Sequence, residues 1–125
     1  MVEPLGELQL KVMNVIWDKG RATVGEVHEE ISASRKIAYT TVLTTTQALE
    51  RRGMVTHDTV GKAYRYSPAV SREQYTDASV NRLVGDLFDG RQERLLCHLL
   101  GADRVSRADA RAIRDLIRRS EGGGE

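Results

Sequence analysis

Hydroxyls and cations crowd into one short stretch of this chain. Thr40, Thr41, Thr44, Thr45 and Thr46 stand within IAYTTVLTTTQALERRGMV, with Lys36 just ahead of it and Arg51 and Arg52 near its end. Threonine donates to a phosphate oxygen or a base edge and presses its methyl against a thymine methyl, while lysine and arginine neutralise phosphates. Together these types offer nucleic-acid recognition, with short side chains that permit close approach and cations that anchor it. Threonine is also a mediocre helix former, up to about 0.7 kcal/mol per residue worse than alanine, so a helix made of it gives up stability for the surface it presents. The plainer reading of the same residues is a solvated helix face with no partner.

The division of charge favours the first reading. The 125 residues carry a net charge of +1, with 30% charged and 40% hydrophobic side chains, a balance that argues for a folded domain rather than disorder. Residues 1–34 hold Lys11, Lys19 and Arg21 against Glu3, Glu7, Asp18, Glu26, Glu29 and Glu30, a net of −3, whereas residues 35–66 hold Arg35, Lys36, Arg51, Arg52, Lys62 and Arg65 against Glu50 and Asp58, a net of +4. Such a concentration is the footprint of a surface that meets a polyanion.

Other chemistry finds little support. There is no Gly-rich phosphate loop, nucleophile elbow or HExxH spacing, so the sequence implies no enzyme. Cys97 and His98 are adjacent and point about 100° apart on a helix, which makes them poor joint ligands; with His28 and His57 remote from them, no metal or other cofactor is expected. Cys97 reads instead as a small core residue, and as the single cysteine it permits no intrachain disulfide. No run approaches the roughly 18 to 20 apolar residues of a membrane helix, and the acidic start MVEPLGELQL is not a signal peptide, so a cytoplasmic location is expected.

The threonines need a rigid element to stand on. Leu5, Leu8, Val12, Val15 and Ile16 recur at helical spacing, which predicts a first helix over 5–18 stopped by Gly20. Thr23-Val-Gly-Glu26 fits a capping box opening a second helix over 24–33, with Val27 and Ile31 inward. A third helix over 39–52 ends at Gly53. On its 3.6-residue period Val42, Thr45 or Thr46, and Leu49 face the first two helices, while Tyr39, Thr40, Thr44, Gln47 and Arg51 face away with Thr41 at the edge. MVTHDTV and KAYRYSP alternate around Gly61-Lys62 and predict a β-hairpin. Three short helices and a hairpin make a winged helix-turn-helix, whose third helix enters the major groove.

The fold class expected is thus mainly α with a small β-hairpin wing. A DNA-binding domain over 1–70 is followed by a helical dimerisation region over 71–120 and a disordered tail over 121–125. Ser71 to Gln74 forms a second capping box. Beyond it lie three apolar stripes, Leu83, Val84, Leu87 and Phe88, then Leu95, Leu96, Leu99 and Leu100, then Ile113, Leu116 and Ile117. So small a helical unit rarely supplies more than about 3 to 5 kcal/mol of core stability, so a partner must cover the stripes. An identical chain is the economical one; the alternative is that the stripes fold back on the first domain.

LGELQLKVMNVIWDKGRATVGEVHEEI, IAYTTVLTTTQALERRGMV, GKAYRYSPAVSREQ, VGDLFDGRQERLLCHLL and VSRADARAIRDLI together make the chain resemble the BlaI/MecI/CopY family of penicillinase-repressor-type regulators along almost its whole length. The resemblance implies a homodimeric repressor that binds a palindromic double-stranded DNA operator and silences genes for β-lactam resistance, stress or copper handling. By position, the family's contacts from the third helix fall on Thr40, Thr41 and Thr44, with Ala38 and Tyr39 at the helix start. Its basic residue before the glycine falls on Arg51 and Arg52, and its wing contact on Arg65. Where the family commonly has leucine and arginine, this chain has Thr46 and Ala48. In the β-lactam branch a membrane sensor-protease, directly or through a downstream protease, triggers cutting of an Asn-Phe bond; the corresponding bond here is His98-Leu99. The copper branch needs a pair of Cys-x-Cys motifs, and this chain has Cys97 alone. The competing reading is a protein-interaction module in which the winged helix is scaffold and the leucine stripes bind another protein. Within DNA binding, an activator or a ligand-sensing regulator is a further variant, although no segment obviously builds a pocket.

Overall fold

In the computed structural model, which describes residues 3–101 and 106–123, apolar residues at spacings of three and four build the first helix, α1 (Glu7–Lys19). It buries Val12, Met13 and Ile16 and ends where Gly20 takes a φ of 83°, a torsion open to glycine without strain. Thr23 caps α2 (Val24–Ser32): its Oγ1 accepts from the Glu26 amide at 3.2 Å, and Glu26 Oε1 accepts from the Thr23 amide at 2.9 Å. This is the reciprocal pair expected from the sequence. α3 (Tyr39–Arg51) turns Val42, Thr46 and Leu49 fully inward. Between the two threonines left open by periodicity, Thr46 is therefore the core residue. Its hydroxyl donates to the Val42 carbonyl at 2.7 Å, so a polar atom is buried without being orphaned.

The hairpin forms as expected from β2 (Val55–Val60) and β3 (Ala63–Pro68), joined by Gly61 and Lys62, with Gly61 at a φ of 62°. Such two-residue connections need a positive φ. A strand not expected from the sequence, β1 (Ala22–Thr23), adds to β3, giving an antiparallel sheet of order β1-β3-β2. Tyr66 pairs with Ala22 on one side and His57 on the other, and its side chain enters the core beside Val12, Ile16, Val27 and Val55.

Three more helices follow: α4 (Arg72–Leu87), α5 (Gln92–Gly101) and α6 (Arg107–Gly123). Ser71 and Gln74 exchange the capping-box bonds at 3.0 and 2.9 Å. The chain divides into two compact units, 1–79 and 80–125, and the break between them falls inside α4. The first turns of α4 belong to the winged unit because Tyr75 is buried there. Its hydroxyl accepts from the Leu5 amide at 3.0 Å, and its ring lies 5.9 Å from that of Trp17. Arg72 lies over the Trp17 ring at 5.4 Å and reaches Asp18 at 2.7 Å. At the other end α6 continues through Gly123, into the segment expected as an irregular tail from 121, although glycine is about 1 kcal/mol per residue less favourable there than alanine. Residues 124 and 125 of that expected tail lie outside the described residues.

Candidate nucleic-acid interface

The outward face of α3 carries the residues singled out for recognition. Tyr39, Thr40, Thr41, Thr44, Gln47 and Arg51 are all exposed, and Ala38 is the extended residue that opens the helix. The threonines divide by what their hydroxyl hydrogens already do. Thr44 Oγ1 donates to the Thr40 carbonyl at 2.9 Å, and Thr45 Oγ1 to the Thr41 carbonyl at 2.7 Å. A back-bonded hydroxyl keeps its lone pairs, so Thr44 can accept from a cytosine or adenine amino group while its methyl faces outward. Thr40 and Thr41 make no such bond among the described residues and can donate to a phosphate or a base acceptor.

The cations do not act alike. Lys36, Arg51 and Lys62 are exposed, and among the described residues none of them pairs with a carboxylate. Arg52 is different: its guanidinium donates to Gln9 Oε1 at 2.8 Å and to the Pro4 carbonyl at 3.2 Å, with Glu3 at 3.7 Å. One residue beyond Arg51, it is turned about 100° around the axis, onto the segment that leads into α1. Arg52 thus stands apart from the other expected contacts and serves as a tether. Arg65 is held too, by Asp58 directly across the hairpin, at 3.0 Å from Nη2 and 3.3 Å from Nε. The hydrogen bonds from Arg65 hold the Asp58 carboxyl below its usual range, and the same pairing raises Arg65. In the free protein the wing arginine is therefore already compensated.

Three residues that sequence reasoning missed fix how α3 meets the wing. His57 Nδ1 bonds Glu50 Oε2 of α3, and the imidazole stacks on Tyr64 with centroids 4.2 Å apart and leans on Tyr66 at 5.6 Å. Strand alternation places His57, Tyr64 and Tyr66 on one face of the hairpin, and Asp58 and Arg65 on the other. Tyr64 and Tyr66, two apart, were the available signal. Ahead of α3, His28 Nε2 donates to the Ile37 carbonyl at 2.8 Å and the ring lies edge-on to Tyr39 at 5.7 Å, which fixes the loop that carries Lys36.

The second unit has almost no core of its own. Among its described residues Val84 alone is buried; Leu87 is 70% exposed, and Leu83, Leu99, Leu100, Leu116 and Ile117 are exposed as well. Phe88, Leu95, Leu96 and Ile113 are half-buried. Cys97 is exposed rather than a core residue, because α5 leaves its outer face uncovered. The His98-Leu99 bond lies inside α5, where a protease cannot engage it as an extended strand. Among the described residues no group of three or more His, Cys, Asp or Glu could hold a metal ion, and no helix is long and apolar enough to cross a membrane.

Known proteins share this arrangement. A family model described as penicillinase repressor matches residues 5–119. Transcriptional regulators BlaI from two strains of Mycobacterium tuberculosis are each 33% identical over 121 residues, covering 95% of this chain and 86% of theirs. The penicillinase repressor of Bacillus licheniformis is 22% identical over 105 residues, covering 84% of this chain and 82% of its own. Among solved structures, the DNA-binding domain of the repressor BlaI superposes with a TM-score of 0.54 at 25% identity, covering 60% of this chain and 92% of that one. Bacillus licheniformis BlaI, in its monomeric form with the blaP half-operator, gives 0.52 at 25% identity with the same coverage. A MarR family protein from Bacillus stearothermophilus covers 97% of this chain at a TM-score of 0.51, and at 18% identity it speaks for the fold alone.

Proposed function

The chain belongs to the penicillinase repressor family, and from that premise we propose that it is a homodimeric, sequence-specific DNA-binding repressor acting on a palindromic operator in the cytoplasm. The observation that carries this is the face of α3, where exposed Thr40, Thr41 and Thr44 are flanked by Lys36, Arg51 and Lys62, which have no carboxylate partner among the described residues. Thr40 and Thr41 donate, Thr44 accepts, and the cations hold phosphates. A second copy covers the bare leucines of α4, α5 and α6, since a unit in which Val84 is the lone buried residue among those described gains most by pairing. Two α3 helices then enter major grooves about 34 to 36 Å apart, or a multiple of that. The half-operator bound by the Bacillus licheniformis relative supports recognition one half-site at a time.

Regulation of β-lactam-resistance or stress genes belongs to the same proposal. So does relief by a membrane sensor-protease or a downstream protease at His98-Leu99, which requires α5 to unwind first. Footprinting on the protein's own promoter, with fluorescence anisotropy at several salt concentrations, tests the core of it. A two-fold symmetric footprint with affinity falling steeply in salt is expected. A flat salt dependence would point instead to the winged helix as scaffold of a protein-interaction module.

A further inference from the structure

Between the first turn of α2, the first turn of α3 and the wing lies a cavity of about 440 Å³. Pockets for small molecules run from about 300 to 1,000 Å³, so one bicyclic molecule fits with room to spare. Its lining includes Tyr39, Leu43, Tyr64 and Tyr66, with Lys62 from the wing turn and Val24 from α2. Tyr66 decides what it binds. Although 2% exposed, its hydroxyl has no hydrogen-bond partner among the described residues. The ionisable groups whose fields it feels are Glu50, Tyr64 and Tyr39, and the last two are walls of the cavity. Burial first, and then the charge of Glu50, push the phenol above its ordinary range, so at neutral pH it stays protonated. Its oxygen is not among the buried atoms left without a partner, so it is accessible and free to donate to an acceptor placed in the cavity.

Positive potential gathers at the same place. Lys62 meets no carboxylate among the described residues, and the nine-residue α2 directs its N-terminal partial charge into the cavity. Glu26 opposes this from the same turn, but its carboxylate is held by Thr23, feels Lys19 and Arg65, and does not line the cavity. Apart from Thr23, whose hydroxyl already caps α2, the remaining walls are aromatic or apolar. A bare phosphate, free or in a DNA backbone, would use the lysine and leave the tyrosine faces idle.

We propose that this cavity binds a small planar aromatic anion, with its ring against Tyr39 and Tyr64 and its carboxylate or phenolate accepting from the Tyr66 hydroxyl beside Lys62. Because Tyr39 and Lys62 also belong to the DNA face, occupancy opposes operator binding. That antagonism rests on the repressor reading; the binding site itself does not.

The test is calorimetry of the full chain with naphthoate, naphthalenemethanol and inorganic phosphate. Naphthoate should saturate at one per chain, the neutral alcohol should bind far more weakly, and phosphate should give no saturable heat. Tyr66→Phe keeps the ring and the fold, checked by thermal melting, and should weaken naphthoate binding about tenfold, the usual worth of a hydrogen bond to a charged group. With each protein's ligand-free operator affinity as its own reference, naphthoate should displace operator from the parent at about tenfold lower concentration than from Tyr66→Phe. Absence of saturable naphthoate binding, or equal affinity in Tyr66→Phe, overturns the site. Phosphate matching naphthoate overturns it as well and makes the cavity a seat for a DNA phosphate. Binding without displacement of operator overturns the antagonism alone, and failure to bind operator without any ligand overturns the repressor reading and not the pocket.

Discussion

Asp58→Asn asks directly whether the wing arginine reaches DNA. Arg65 commits two nitrogens to Asp58, at 3.0 and 3.3 Å. Asp58 is exposed and Arg65 half-buried at the surface of the hairpin, so the pair contributes little to folding, and the variant should melt close to the parent. Asparagine keeps the size of the side chain and removes its charge, releasing one cation per wing and two per dimer. Each phosphate neutralised steepens the dependence of log affinity on log salt by about 0.9, so the dimer slope should steepen by about 1.8. Across a fourfold rise in salt, from about 50 to 200 mM, the variant's advantage over the parent should then shrink roughly twelvefold. Anisotropy with a labelled operator duplex, titrated at four or five salt concentrations, reads both numbers. Adding Arg65→Ala should return the slope to the parent's value or below. An unchanged slope and affinity in Asp58→Asn would refute Arg65 as a DNA contact and confine its role to pinning the hairpin.

Other outcomes follow from the same geometry. Thr46→Val exchanges a buried hydroxyl for a methyl while the Val42 carbonyl can keep its helical bond, so stability measured by thermal melting should rise by about 0.5 to 1 kcal/mol. Arg51→Ala should weaken operator and random duplex alike, whereas Thr41→Ala should erode discrimination between them; equal losses on both duplexes for Thr41→Ala would sink that division of labour. Glu26 is held below its ordinary range chiefly by the hydrogen bond from the Thr23 amide, so its cap is fully present above the unfolded carboxylate value and fades as pH falls through the lower folded one. The gap in melting temperature between the parent and Glu26→Ala should therefore close on acidification. Leu87→Glu with Leu116→Glu should shift sedimentation toward the monomer and weaken full-operator binding, leaving half-site binding intact.

Features set by local rules were legible in advance. The T-x-x-E and S-x-x-Q boxes are bonds across three residues, and both form. The exposed face of α3 follows from its period alone. What stayed hidden depends on distant chain segments: β1 is two residues long and shows no period, and the Arg52 tether reaches back 43 residues to Gln9. The packing of Tyr75 on Leu5 and Trp17 is of the same kind. The Asp58–Arg65 pair was within reach, since a two-residue turn at Gly61-Lys62 pairs Val60 with Ala63 and hence Asp58 with Arg65. The cavity at Tyr66 is built from three separate stretches, and no single segment announced it.

Arg52 makes the opening residues a brace for the far end of the reading helix, through Glu3, Pro4 and Gln9. A purification handle or reporter fused immediately ahead of Glu3 would tug on that brace, and the symptom would be a softened last turn of α3. Binding assays on amino-terminally tagged material would then understate affinity, and a carboxy-terminal tag would be the safer choice for the winged unit.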